Sequence, residues 1–361
     1  MTNKMEFLDL FIPGPVNISS DVREKLSLPI IGHREKEKMG GLHQDICQKF
    51  QKILFTENQI LLSTSSSTGL MEGAIRNCVK EKVLHVVIGA FGDRWHQISI
   101  DNEKSADKLE IPWGHAASAE QIEERLSGKK YEAVCITHNE TSTGVASPLK
   151  EVYKVIKEHD CLFLVDAVSG AGGLEARIDE WQIDAYIFGL QKCFALPPGL
   201  AVAAVSESAF EKAKAVKNRG WYFDFNRLKK YHDRGGMQPA TPVIPVYYAT
   251  QYQLDKIVNQ EGIENRWSRH TEMGNFTRQW VKNNGLELFA DEKVASNTVT
   301  CVKTEGVNLS KLKEELRKKG YLFATGYGPV KEKAFRIAHM GDRTLKELKT
   351  YLSEIEEILK K

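Results

Sequence analysis

The sequence predicts an α/β protein: a large part with a mainly parallel sheet between helices, then a smaller C-terminal α+β part. Two observations predict it. Over the first two-thirds of the chain, short β-rich apolar runs alternate with helical patterns, which is how parallel sheets with crossover helices read. After Pro245 the pattern changes to long amphipathic helices followed by a mixed strand–helix region.

The apolar runs expected to be buried strands are Ile60–Leu62, Val83–Ile88, Ala133–Thr137, Leu162–Val165, Tyr186–Phe188 and Leu200–Val205. Between the third and fourth a helix is expected over Pro148–His159. Ser147 is placed to cap it, and Pro148 suits a first turn, where a missing N–H costs nothing. Farther on, Tyr247–Glu261 and Asn265–Asn283 read as long helices, and Thr298–Lys303 and Phe335–Ala338 as strands. Leu309–Lys319 and Thr344–Lys360 carry apolar residues at i, i+3 and i+4 and read as helices. The division expected is an N-terminal arm over 1–16, a large domain over 17–258 and a small domain over 259–361, with a helix bridging the last boundary.

Composition narrows the function classes. The 361 residues are 42% hydrophobic and 27% charged, as in an ordinary globular protein. Lys and Arg total 50 against 48 for Asp and Glu, and a net charge of +2 gives no general attraction to nucleic acid or anionic membranes. No apolar run approaches the roughly 20 residues that cross a bilayer. Met1–Lys4 leads into an acid-containing stretch rather than an apolar one, so no secretory leader is expected and the cytoplasm is the expected location. The cysteines form no C-x-x-C pair and no local cluster with histidine, and neither a metal centre nor a disulfide framework is expected.

The chemistry is concentrated in three segments. Leu162-Phe163-Leu164-Val165-Asp166 is an apolar strand ending in a carboxylate, at the sheet edge where α/β proteins bind ligands. In isolation Asp166 would read as a helix cap. Tyr186-Ile187-Phe188-Gly189-Leu190-Gln191-Lys192 is a second apolar strand, ending in a lysine. Lys192 is either a solvated loop lysine or an amine whose apolar surroundings favour the neutral form, as imine chemistry requires. Leu61-Leu62-Ser63-Thr64-Ser65-Ser66-Ser67-Thr68-Gly69 runs from a strand through a hydroxyl-rich turn into a helix, whose free N–H groups suit an anion. A carboxylate for a pyridinium nitrogen, a lysine for an aldehyde and a phosphate cradle are the polar requirements of pyridoxal phosphate.

In this order, with Gly-Ala-Phe-Gly-Asp-Arg at 89–94 and Thr-His-Asn-Glu-Thr-Ser-Thr-Gly at 137–144, the segments resemble the class V aminotransferases of fold type I. These include the serine–pyruvate, alanine–glyoxylate and phosphoserine enzymes, and the resemblance runs from Pro13-Gly14-Pro15 to Phe335-Arg336-Ile337. It implies that Ser66, Ser67 and Thr68 hold the cofactor phosphate with support from Gln191, and that Phe91 stacks on the pyridine ring. It implies that Thr141 bonds near the 3′ oxygen, Asp166 pairs with the ring nitrogen and Lys192 takes the aldehyde as a Schiff base. Gln238 and Thr241 would reach the phosphate of a neighbouring subunit, making the active site a property of a homodimer. The ring-stacking position is Trp in several relatives, and the phosphate turn lacks a glycine many of them carry.

On the substrate side, Arg336 alternates with apolar residues on an expected strand; it is either an exposed-face arginine or one whose planar fork meets a carboxylate, and the resemblance implies the substrate α-carboxylate. His33 and Arg34 are either a solvated basic pair or ligands for a second anion. Phosphoserine aminotransferases carry a similar pair, so phosphoserine with 2-oxoglutarate is the leading expected substrate pair. Serine–pyruvate or alanine–glyoxylate transamination is the alternative. A cysteine desulfurase-type lyase is a second alternative, but the loop Ala324–Pro329 has no cysteine. A non-catalytic binding protein would not need Lys192, Asp166 and Arg336 together.

Overall fold

The computed structural model describes residues 7–360; the first six residues of the expected arm, and Lys361, lie outside the described residues. A seven-stranded sheet carries the fold. In chain order its strands are β1 (Gln59–Ser63), β2 (Lys82–Val87), β3 (Ser105–Glu110), β4 (Ala133–Thr137), β5 (Leu162–Asp166), β6 (Ala185–Gly189) and β7 (Ala201–Val205). Their spatial order is β1-β7-β6-β5-β4-β2-β3. β7 runs antiparallel to both β1 and β6, and the remaining pairs are parallel.

The central strands are apolar throughout because helices cover both faces of the sheet. On one face Phe50, Ile60, Phe163, Phe188 and Tyr247 belong to one core cluster; on the other Leu61, Leu70, Trp95, Leu164 and Phe210 belong to a second. Six of the seven strands coincide with the apolar runs of the sequence. The seventh, β3, reads Ser-Ala-Asp-Lys-Leu-Glu, and none of its residues is buried. It pairs only with β2 at the sheet edge, so no apolar alternation is required of it, and the sequence carried no signal.

Four helices of the large part matter below: α1 (Gly41–Leu54), α2 (Ser67–Cys78), α3 (Ala90–Asp101) and α4 (Leu149–Glu158), of which α2 and α3 position the site. α4 matches the expected helix, but its cap does not. Its N-cap is Pro148 without a side-chain bond, and the Ser147 hydroxyl instead donates to the Thr137 carbonyl at 2.8 Å. Ser147 is buried there, and the strand-end carbonyl is the acceptor within reach.

α5 (Ile244–Lys256) packs on the core of the large sheet; after it come α6 (Ile263–Asn283) and a C-terminal part with a three-stranded antiparallel sheet and two flanking helices. The sheet strands are β8 (Val299–Lys303), β9 (Ala324–Thr325) and β10 (Ala334–Ala338), and the helices are α7 (Leu309–Lys318) and α8 (Leu345–Leu359). Thr344 and Glu347 form a capping box at the start of α8. α6 bridges the two parts: Ile263 packs on a core cluster of the large sheet, whereas Met273, Trp280 and Val281 enter the C-terminal core. The N-terminal segment also belongs to that core. Asp9–Leu10 pairs in parallel with Tyr321–Leu322, and Phe11 stacks on Tyr351 with ring centroids 4.0 Å apart. No helix among the described residues is long and apolar enough to cross a membrane.

Candidate active site

The carboxyl ends of β4, β5 and β6 meet the amino ends of α2 and α3 around a cavity of about 200 Å³. Ser66, Ser67, Thr68 and Gln191 line it on one side, and Phe91, Thr141, Asp166 and Lys192 on the other. Eight residues proposed from sequence thus lie on one cavity, although they come from five separate segments.

Asp166 ends β5 and is 3% exposed. The Val168 N–H, at 3.0 Å, is the one donor its carboxylate accepts among the described residues. Burial pushes its pKa up to about 7; the nearby Glu140 carboxylate adds to the rise, and the Val168 N–H, Lys192 and Arg94 oppose it. A carboxyl group with one free oxygen in a low-dielectric wall favours a cationic N–H partner.

Lys192 follows β6, and burial lowers its amine to about 8, with Arg336 contributing in the same direction and Cys193, Asp166 and Glu140 opposing. Its Nζ donates to the Pro13 carbonyl. The N-terminal segment passes so close that a Cβ on Gly14 would collide with the Lys192 side chain; Gly14 also holds φ +86°, where a side chain is strained. The Val16 N–H donates to the Gln191 carbonyl at 3.1 Å, fixing the same segment against the lysine turn.

The hydroxyl turn precedes α2, whose N-cap residue Ser66 makes no side-chain capping bond. Its first N–H groups and the hydroxyls of Ser66, Ser67 and Thr68 are therefore available to an anion. A Cβ on Gly189 would stand 2.9 Å from Ser67 Oγ and closer still to Gln191 Oε1, so this glycine lets Gln191 approach the turn.

Three contributions were not assigned from sequence. Glu140 is fully buried and accepts from the N–H groups of Phe91 at 2.9 Å and Gly92 at 3.2 Å, and from Ser142 Oγ at 2.6 Å. It caps α3 and sets the position of Phe91. Asn139 lines the cavity; its amide donates to Ser169 Oγ at 2.8 Å and Thr298 Oγ1 at 3.0 Å, while its buried Oδ1 has no partner. Arg94 also lines the cavity. All three lie inside the 89–94 and 137–144 motifs; Asn139 and Glu140 come soon after an apolar strand, which was the available signal, and Arg94 had none beyond its motif.

Arg336, at the centre of β10, donates from Nε to the Thr325 carbonyl at 2.9 Å and from Nη1 to the Thr141 carbonyl at 3.3 Å. It has no carboxylate partner among the described residues, and burial lowers its pKa. Its neighbours therefore leave the fork available to a substrate carboxylate.

The remaining proposed residues lie elsewhere. Gln238 and Thr241 border a separate small recess with Ser63, Thr64 and Tyr222, and Thr241 is exposed. Arg34 is exposed and donates to the Gln238 carbonyl at 2.8 Å. Within one chain these residues gather with each other, not with the cavity.

The expectation that no cysteine clusters with histidine fails in α1. His43 and Cys47 share one helical face at i, i+4, and His232 joins them, with ligand atoms within 4.8 Å of one another. These atoms already have partners: His43 Nε2 meets His232 Nδ1 at 3.1 Å, and the Cys47 thiol, pushed up by burial, donates to the Ile60 carbonyl. The cluster is a hydrogen-bonded part of the core.

The donor set suits pyridoxal phosphate: an anion cradle, an acid with one free oxygen, an amine with a lowered pKa and a buried acceptor on Asn139. The chain matches the family model "Aminotransferase class-V" over residues 32–334. It is 40% identical to an uncharacterized aminotransferase of Methanocaldococcus jannaschii, covering 97% of this chain and 92% of that protein. It is 35% identical to a serine–glyoxylate aminotransferase of Methylorubrum extorquens, covering 92% of this chain and 86% of the relative. The structure of an alanine–glyoxylate aminotransferase from Nostoc superposes with a TM-score of 0.93 at 27% identity, over 99% of this chain and 97% of that one. The chain belongs to the pyridoxal-phosphate-dependent class V aminotransferases.

Proposed function

We propose that this protein moves the amino group of a small L-amino acid to glyoxylate, working as a homodimer whose two sites share residues. The observation that carries the reading is the opposition of Asp166 and Lys192 on one cavity, an acid raised to about 7 and an amine lowered to about 8. Glyoxylate as the acceptor follows the printed activities of the serine–glyoxylate and alanine–glyoxylate relatives. The expected pair, phosphoserine with 2-oxoglutarate, gives way to this alternative. His33 and Arg34, its main support, are not on the cavity of their own chain.

When bound, pyridoxal phosphate supplies an aldehyde for the substrate amine and an electron-withdrawing ring. The chain's own groups do the rest. Ser66, Ser67, Thr68 and the free end of α2 anchor the phosphate, with Gln191 behind them. Asp166 would hold a proton on the ring nitrogen, and Phe91, fixed through Glu140, would stack against the ring. Thr141 would bond near the 3′ oxygen. Arg336 binds the substrate α-carboxylate, which aligns Cα with Lys192. The Lys192 amine, in its neutral form, would then take the proton from Cα; a pKa lowered to about 8 makes that form far more populated near neutral pH than in an ordinary lysine.

Gln238, Thr241, His33 and Arg34 belong to the proposal as groups offered to the neighbouring subunit, since none of them lines the cavity of its own chain. The division into an arm to 16, a large domain to 258 and a small domain beyond it is proposed with them, α6 acting as the bridge.

Borohydride reduction of the holoprotein followed by peptide mapping should label Lys192. Serine and alanine should each convert the cofactor's absorption to its aminated form, and glyoxylate should restore it. A label on another lysine, or no spectral change with any amino acid, would overturn the reading.

A further inference from the structure

The hydrogen bonds among His43, Cys47 and His232 are of the kind a metal ion replaces. α1 carries His43 and Cys47 four residues apart, so both side chains leave one face of the helix a single turn from each other. His232 ends the helix Phe225–His232. Glycines bring that helix end against the start of α1. A Cβ on Gly236 would stand 2.3 Å from the Gly40 carbonyl oxygen, and one on Gly40 would stand 2.2 Å from the Gly235 carbonyl oxygen. Backbones approach so closely only where side chains are missing, and the approach sets His232 beside His43.

The contacts within the cluster suit ligation. The two imidazoles face each other nitrogen to nitrogen, His43 Nε2 and His232 Nδ1 lying 3.1 Å apart with one proton between them. Gln238 Nε2 donates to His43 Nδ1 at 3.2 Å, which puts the shared proton on His43 Nε2. The Cys47 thiol reaches the Ile60 carbonyl at 3.7 Å, a weak bond. Burial holds both rings in the neutral form that ligates. All three ligand atoms lie within 4.8 Å of one another. Zinc bonds of about 2.0–2.3 Å need them within roughly 4 Å, a closure that rotation of the half-buried His232 ring supplies.

We propose that His43 Nε2, Cys47 Sγ and His232 Nδ1 bind a zinc ion, which ties the helix Phe225–His232 to α1 at a site outside the cofactor cavity. Two imidazoles and a thiolate match a borderline-soft divalent ion, and the half-buried His232 side leaves a fourth position to water. On binding, the thiol proton goes to solvent. The proton between the rings passes to His43 Nδ1, and the Gln238 amide turns its oxygen to accept it, the outer contact that orients a ligating histidine.

The test uses tag-free holoenzyme, stripped with a chelator and equilibrated with zinc or cobalt(II) alone. One ion per chain should be retained, and zinc should raise the melting temperature. The difference spectrum between cobalt-loaded and metal-free protein should carry a thiolate band. Cys47→Ser and His232→Asn should each lower zinc affinity by more than about a hundred-fold, beyond the roughly 10–100-fold for losing an outer partner alone. Each should also abolish the rise in melting temperature, and the cofactor band of both variants reports that they fold. A parent protein that retains no ion, binding that survives either substitution, or a cobalt spectrum without thiolate would overturn the site.

Discussion

Asp166 and Asp184 stand at opposite ends of the same pair of parallel strands, and both are almost fully buried, at 3% and 4% exposure. Their surroundings differ in kind. Asp184, just before β6, receives the Phe163 N–H at 2.7 Å, the Ser206 hydroxyl at 2.7 Å and the Lys157 ammonium. Every strong donor near it is part of the fold. Asp166, at the end of β5, receives one backbone N–H and faces a cavity. A buried carboxylate satisfied by its own chain belongs to the structure; one left incomplete at the carboxyl edge of a sheet is built for a ligand. The difference is in partners, not in burial.

Breaking the comparison at Asp166 should give the largest effect. Asp166→Asn should lower turnover by roughly 10²–10⁴-fold, the scale of a proton-holding catalytic group. The phosphate cradle should keep the cofactor bound. Half-reaction rates with alanine or serine within a few-fold of the parent would remove Asp166 from the ring nitrogen.

The raised pKa carries a consequence for stability in the cofactor-free protein. Asp166 titrates near 7 when folded and near its ordinary 3.8 when unfolded. Between those values the folded state holds a proton that the unfolded state has lost, so this contribution to stability falls as pH rises from about 4 to about 7. The linked loss is at most roughly 4 kcal/mol. Thermal melts of the apoprotein from pH 4 to 7.5 should show it as a difference from Asp166→Asn, and bound cofactor should suppress that difference. Parallel pH profiles for the two apoproteins would contradict it.

At the other end the expectation reverses. Asp184→Ala should cost roughly 3 kcal/mol or more in unfolding free energy, because it strips a strand N–H, a hydroxyl and an ammonium of their acceptor. Cofactor spectrum and KM of the folded fraction should be retained. Lys157→Met is the milder break, roughly 1–3 kcal/mol, since buried Asp184 loses its cation but keeps its other two donors. Denaturant titrations of both variants give the comparison, and a larger loss for Lys157→Met than for Asp184→Ala would invert it.

The sequence by itself determined the elements whose chemistry is local. Apolar runs marked six of the seven strands, because strands covered on both faces must be apolar whatever the connections. Asp166, Lys192 and the hydroxyl turn were legible because each ends or follows such a run. Polar β3 gave no signal, since a solvated edge strand has no pattern to keep. Tertiary structure alone decided what depends on residues far apart in the chain. Ser147 prefers a strand-end carbonyl to its helix, His43 and Cys47 meet His232, and Glu140 reaches back to fix Phe91. It also decided that Arg94 and Arg336, more than two hundred residues apart, meet around one tyrosine. Periodicity records which face a residue buries; which charges remain unpaired is fixed only when the fold has chosen every neighbour.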